Sequence, residues 1–341
     1  MSHIITIDAF LERAKQTPVV DVRSPAEFAQ GHIPGAYNLP LFDNDERAEV
    51  GALYKQKGRI LAIQRGLELT GPKMRRFTDF ALHLKSPELL VYCWRGGMRS
   101  AAMAWLFETV GIGCFTLEHG YKAYRNRVLA DFARPLRLAL LGGFTGGGKT
   151  EILHALRLAG AQVLDLEALA HHKGSAFGGI GQGAQPSSEQ FENLIAAQCA
   201  QIDPQQTLWV EDESRNVGRC AIPLPFWEQM RRAPLIYVDT PRPQRTDRLM
   251  QEYATLDPEL LCAAIKKIEK RLGFDRCKEA CEACLNGNRR LALEICLDYY
   301  DKAYGNQLYE RFGSEWENRL QTFTPHFPLD GEQIRSLILM V

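Results

Sequence analysis

Leu89-Leu90-Val91-Tyr92-Cys93-Trp94-Arg95-Gly96-Gly97-Met98-Arg99-Ser100 carries a β-type apolar run to a cysteine, turns through a glycine-bearing loop and enters the apolar run Ala101 to Phe107. That order predicts a strand, a tight loop and a helix beginning near Ser100. Gly96 and Gly97 let the loop curl with its N–H groups facing the sulfur. The positive end of the helix aims at the same point, and Arg95 and Arg99 add full charges. Each feature favours thiolate over thiol. Cys93 is therefore read as a nucleophile of lowered pKa, with Arg95, Gly96, Gly97 and Arg99 forming its anion cradle.

Upstream, Val19 to Arg23 reads as a buried strand, and Ser24-Pro25-Ala26-Glu27-Phe28 as a helix start with Pro in the first turn. A turn-rich link follows from Gly31 to Pro40. Asp21-Val22-Arg23, Glu27-Phe28, Gly31-His32-Ile33-Pro34-Gly35-Ala36 and Asn38 resemble the opening signature of a rhodanese domain. Cys93 then falls where that family keeps its sulfur-carrying cysteine, and Glu118 to Arg125 resembles the domain's closing turn. Cys93 and Arg99 enclose five residues, a Cys-x5-Arg spacing similar to that of protein phosphatases. The longer loop makes room for a tetrahedral oxyanion, which hints at a phosphate-bearing chalcogen donor. Tyr92, where a phosphatase of that type has His, argues against phosphatase chemistry. Asp43 to Ser86 is long for a connection, and its apolar spacing suits a helical insertion with a basic end at Lys73, Arg75 and Arg76. That end is read as a solvated face, with RNA backbone contact as the alternative.

Downstream, a helix from Arg125 to Arg134 is broken at Pro135, and the strand-like Leu136 to Leu141 runs into Gly142-Gly143-Phe144-Thr145-Gly146-Gly147-Gly148-Lys149-Thr150. This is the phosphate-binding pattern G-x-x-x-x-G-K-[ST] between a strand and a helix. Gly143, Thr145, Gly146, Gly147 and Gly148 offer backbone N–H groups to a phosphate, Lys149 reaches a terminal phosphate, and Thr150 is placed to hold Mg²⁺. Further strands are expected at Val163–Leu166, Leu208–Glu213 and Leu235–Asp239. Glu211 or Asp212 is the carboxylate expected to orient Mg²⁺ through water. Arg242, Arg245 and Arg248, at helical spacing, suit an anion clamp or a solvated face. The glycine-rich stretch His171 to Gly181 reads as a mobile loop over the site.

From Pro258 the chain reads as helical. Cys277, Cys281 and Cys284 have a C-x3-C-x2-C spacing, but these positions share one helix face and are read as a core stripe, so no iron-sulfur cluster is expected. Tyr299, Tyr300, Tyr304 and Tyr309 are assigned to packing ahead of base stacking. The 41 basic and 41 acidic side chains cancel, so any nucleic-acid site must be a local patch. Nine cysteines, an odd count without a secretion-type start, point to reduced thiols. No apolar run approaches the ~20 residues of a membrane span, and a cytoplasmic protein without a membrane role is expected.

The two motifs in this order resemble the tRNA 2-selenouridine synthase family over nearly the whole chain. The expected fold is α/β, with a rhodanese-like domain at residues 1–130 carrying Cys93 and a P-loop parallel-sheet domain at 131–341 ending in a helical C-terminal part. The resemblance implies a selenotransferase that replaces sulfur by selenium in wobble 2-thiouridine of tRNA. Selenophosphate is the implied donor, and an S-geranyl intermediate made from geranyl diphosphate precedes selenium. A selenophosphate-producing enzyme is a candidate partner. The alternatives are a rhodanese-type sulfurtransferase with a regulatory P-loop domain and a non-catalytic phosphate sensor.

Overall fold

Short apolar runs, buried on both faces, set two parallel sheets. The computed structural model of the chain describes residues 3–253 and 255–341. It divides into two units, Met1–Ala133 with Glu192–Ala197, and Arg134–Phe191 with Gln198–Val341.

The first unit holds β1 (His3–Ile5), β2 (Val19–Asp21), β3 (Tyr37–Asn38), β4 (Glu88–Tyr92) and β5 (Gly113–Leu117), all parallel, in the order β1-β5-β4-β2-β3. Its helices are α1 (Ile7–Arg13), α2 (Pro25–Gln30), α3 (Asn44–Lys57), α4 (Arg59–Thr70), α5 (Met74–His83), α6 (Met98–Glu108) and α7 (Gly120–Asp131). Central β4 is covered on both sides, as parallel sheets require. Leu89, Val91 and Cys93 share one core with Val22, Phe77 and Met103, while Tyr92 points the other way, edge-on to Phe10. The 43–86 stretch is helical, as its pattern predicts, and α3 buries no side chain. Its basic end is partly neutralised within the unit: Lys73 pairs with Glu46, and Arg75 lies 3.7 Å from Asp79.

The second sheet comprises β6 (Leu138–Gly142), β7 (Gln162–Leu164), β8 (Leu208–Glu211), β11 (Leu235–Val238) and β12 (Gln321–Phe323), parallel in the order β12-β11-β6-β8-β7. A short hairpin, β9 (Asn216–Val217) with β10 (Cys220–Ala221), stands apart from it. Along the chain after α7 come α8 (Lys149–Leu158), α9 (Leu166–Ala170), α10 (Ser188–Cys199), α11 (Leu224–Arg232), α12 (Arg242–Glu252), α13 (Pro258–Lys267), α14 (Glu269–Leu272), α15 (Phe274–Leu285) and α16 (Arg289–Phe312). The region after Pro258 is not helical throughout: β12 adds a parallel edge to β11 and a last helix, Gly331–Ile338, packs near α8. Two of the three β12 residues are exposed, so no apolar period marks the strand.

Cys277, Cys281 and Cys284 lie on the buried face of α15, packed with Cys262 of α13 and Cys296 of α16. Burial pushes the Cys281 thiol up to about 12 and that of Cys284 to about 11. Among the described residues no helix is long and apolar enough to cross a membrane.

Candidate active sites

Both sequence-predicted loops leave the carboxyl end of a central strand, where flanking connections diverge and a parallel sheet leaves a crevice. In the first unit β4 delivers Cys93, 3% exposed, to the start of its loop. The Gly97 N–H donates to Cys93 Sγ at 3.3 Å, and Ser100 Oγ lies 3.3 Å from the sulfur while donating to the Gly97 carbonyl at 3.1 Å. Helix α6 begins at Met98, slightly before the expected point, so its free N–H groups face the loop.

The loop is gripped from behind. The first N–H groups of α7 cap it, Tyr121 donating to the Cys93 carbonyl at 2.8 Å and Lys122 to the Trp94 carbonyl at 3.1 Å. Gly96 and Gly120 interlock, both at positive φ: a Cβ on Gly96 would stand 2.4 Å from the Leu117 carbonyl, and one on Gly120 would stand 2.2 Å from that of Cys93. Beneath lies a buried ion pair in which Arg23 donates to Asp21 at 2.6 Å and to the Gly31 carbonyl at 2.6 Å, with its guanidinium 3.8 Å from the Tyr121 ring centre.

The two arginines of the cradle differ. Arg95 is exposed, whereas Arg99 forms a two-pronged pair with Glu27 at 2.7 and 3.3 Å. Glu27 also caps α2 by accepting from the Ser24 N–H at 3.1 Å. Burial pushes its carboxyl up, but hydrogen bonds and charge from Arg99, the Ser24 N–H and Arg47 outweigh burial and hold it below the usual range.

In the second unit, Gly143 and the run from Thr145 to Thr150 line a cleft of about 440 Å³. The loop glycine at Gly148 has φ +83°, which starts α8 in a conformation few side chains tolerate. Lys149 folds across the loop and donates to the Gly143 carbonyl at 3.0 Å, while Thr150 Oγ1 donates to Glu211 Oε1 at 3.3 Å. Thr150 and Glu211 therefore fit a hard cation beside a bound phosphate.

Asp212 is separated from that role. It accepts from Arg311 at 3.0 Å and from Tyr304 at 2.9 Å, and Tyr304 in turn accepts from the Gly143 N–H at 3.1 Å. Of the three spaced arginines only Arg248 lines the cleft, paired with Glu151. Arg245 is buried, donating to Asp301 at 2.7 Å and to the Thr145 carbonyl at 3.1 Å, and Arg242 turns to Asp298 at 2.5 Å. From the 171–181 stretch, Lys173, Gly174 and Ser175 line the cleft. Tyr299 and Tyr300 line it as well, and Tyr300 accepts from the Ala176 N–H at 2.8 Å, whereas Tyr309 is exposed.

Sequence reasoning missed Ser100, Tyr304, Arg311 and two further acids, Glu167 and Glu213. Donor atoms of Glu167, Glu211 and Glu213 lie within 4.8 Å of one another. Burial and the charges of Glu211 and Glu213 push the Glu167 carboxyl up to about 10; burial and Glu211 push Glu213 to about 8.

Residues 136–315 match the family model described as the tRNA 2-selenouridine synthase AAA domain, and residues 6–127 match that of the rhodanese-like domain. Three curated proteins called tRNA 2-selenouridine synthase are similar to this chain. The one from Nitrosomonas europaea is 33% identical, over 86% of this chain and 90% of that one. Those from Hydrogenovibrio crunogenus and Aeromonas salmonicida are 36% and 40% identical, over 87% and 69% of this chain and 91% and 64% of theirs.

Proposed function

Because this chain belongs to the tRNA 2-selenouridine synthase family, we propose that it replaces the sulfur of wobble 2-thiouridine in tRNA by selenium, with selenophosphate as donor and geranyl diphosphate as the alkylating substrate. The observation that carries this reading is one chain with two crevices of different chemistry, a thiol in an N–H-lined loop and a lysine in a phosphate loop.

The 2-thio sulfur is a poor leaving group as an anion, and alkylation improves it. In the first step the sulfur attacks the first carbon of the geranyl group, the carbon–oxygen bond breaks with its electron pair going to diphosphate, and the base loses its N3 proton. Backbone N–H groups of Thr145, Gly146 and Gly148 and the Lys149 ammonium stabilise the departing diphosphate, the Gly143 N–H being taken by Tyr304 and that of Gly147 by the Phe144 carbonyl. Mg²⁺ held by Thr150 and Glu211 would add Lewis-acid neutralisation of the same charge. In the second step the selenium of selenophosphate adds at C2 and geranylthiolate departs; water then attacks phosphorus, the phosphorus–selenium bond breaks with its electron pair staying on selenium, phosphate leaves, and the base regains its N3 proton. Cys93 guides that selenium towards C2, and the loop from Trp94 to Arg99 seats the phosphate.

Mass spectrometry of wobble nucleosides tests this, with thiolated tRNA, geranyl diphosphate and selenophosphate supplied and each omitted in turn. Lys149→Ala is expected to slow geranylation by about 100-fold or more, and normal geranylation by that variant rejects the first assignment. Cys93→Ala is expected to accumulate geranylated tRNA without selenium, and undiminished selenium rejects the second. The alternative of a rhodanese-type sulfurtransferase with a regulatory P-loop unit gains from one feature: the contacts holding the Cys93 loop come from its own unit. Thiosulfate-to-cyanide turnover by the Lys149→Ala chain at the wild-type rate, with no selenium in tRNA under any condition, would favour it.

A further inference from the structure

We propose that Glu167, Glu211 and Glu213 bind a divalent cation of the Mg²⁺ or Mn²⁺ class directly, before any phosphate ligand arrives. An ordinary phosphate loop gives its metal a single hydroxyl plus water-bridged acids, so the metal arrives with its nucleotide. Here three carboxylates converge, Glu167 from the first turn of α9, Glu211 from the end of β8 and Glu213 from two residues beyond it. Glu211 is 1% exposed and, although Thr150 Oγ1 donates to its Oε1 at 3.3 Å, its Oε2 has no hydrogen-bond partner. A buried carboxyl oxygen without a partner is costly, and a cation among the three side chains removes that cost.

Of the two lysines lining the cleft, Lys149 is tethered to the Gly143 carbonyl and Lys173 is paired with Glu252, and Asp212 is already satisfied by Arg311 and Tyr304. The donor set is all hard oxygen, which selects Mg²⁺ or Mn²⁺ over softer-ligand metals. Gly174 closes the site: a Cβ there would come within 2.8 Å of Glu167 Oε1 and 3.1 Å of the Glu213 carboxylate. The purpose assigned to the cation rests on the diphosphate reading above: it sets positive charge beside the phosphate loop, where the departing diphosphate gathers negative charge.

Calorimetric titration of the full chain with MnCl₂ alone, followed by the paramagnetic resonance of bound Mn²⁺, tests the site. Saturable binding is expected. Glu167→Gln and Glu213→Gln should each weaken it by about 10-fold or more, while Glu151→Gln, an acid of the same cleft outside the cluster, should leave it unchanged. Thermal melts provide the fold control: Mn²⁺ should raise the wild-type Tm, and the two cluster variants should melt at least as high as metal-free wild type yet gain nothing from Mn²⁺. No saturable binding by wild type, or wild-type binding by both cluster variants, overturns the proposal. Titration with inorganic pyrophosphate, wild type against Lys149→Ala, separates the readings. Pyrophosphate binding without Mn²⁺ binding rejects the cation site and keeps the diphosphate seat; the reverse result rejects the seat alone.

Discussion

The loop after Cys93 and the loop after Gly142 occupy equivalent places in their sheets, yet they are held by different forces. The first is a backbone construction, with α7 N–H groups capping its carbonyls and Gly96 fitted against Gly120. The second is steadied by side chains from far along the chain. Tyr304, 161 residues after Gly143, accepts its N–H, and Asp301 of the same helix fixes Arg245 against the Thr145 carbonyl. A backbone-held loop is intolerant of added atoms but indifferent to distant charge. The side-chain-held loop should show the opposite sensitivity.

The largest break in that comparison is expected from Arg311→Met. Arg311 is 5% exposed and serves Asp212 together with the carbonyls of Met230, Arg231 and Ala233. Its loss leaves a buried carboxylate unpaired, a change that costs about 3–5 kcal/mol. Hydrogen exchange followed by mass spectrometry should show lost protection in peptides covering residues 136–150, with residues 88–100 unaffected. Retained protection across β6 would show that the second loop is not braced from α16.

Gly96→Ala and Gly97→Ala sharpen the other half. Gly96 has φ +62° and a Cβ there would meet the Leu117 carbonyl at 2.4 Å, whereas a Cβ on Gly97 would meet nothing within 4 Å. Strain alone is worth about 1–3 kcal/mol at such a position, so Gly96→Ala should lower the melting temperature of the first unit while Gly97→Ala stays close to wild type. Equal effects would mean that the interlock with Gly120 does not hold the loop.

These contrasts also explain what was legible in the sequence. The strand–loop–helix frames around Cys93 and Lys149 depend on neighbours along the chain, and they appear where the pattern put them. Arg242, Arg245 and Arg248 shared a helical spacing that suggested one clamp, but Asp298 and Asp301 engage the first two, and no local pattern announces a partner 56 residues away. Between Glu211 and Asp212 a signal did exist. Successive residues on an extended strand point to opposite sides, so Glu211 and Glu213 belong together and Asp212 does not. Glu167 carried no such signal, because α9 is five residues long and its place beside β8 is set by tertiary packing.

The smallest effect concerns pH. Glu27 joins α2 to the Cys93 loop through Arg99, and its folded-state carboxyl lies below the ordinary 4.5. The unfolded chain therefore takes up this proton first on acidification. The stabilisation is complete above about pH 4.5 and is lost as pH falls through the lower folded value. The first unit should thus melt at falling temperatures as pH drops below that point, and Glu27→Gln, already without the charge, should flatten the decline. Arg99 and Glu27 are partly solvated, so the contribution is modest and screened by salt. An acid decline of the same slope in wild type and Glu27→Gln would assign it to other carboxylates, and would leave backbone contacts as the whole of what holds the first loop.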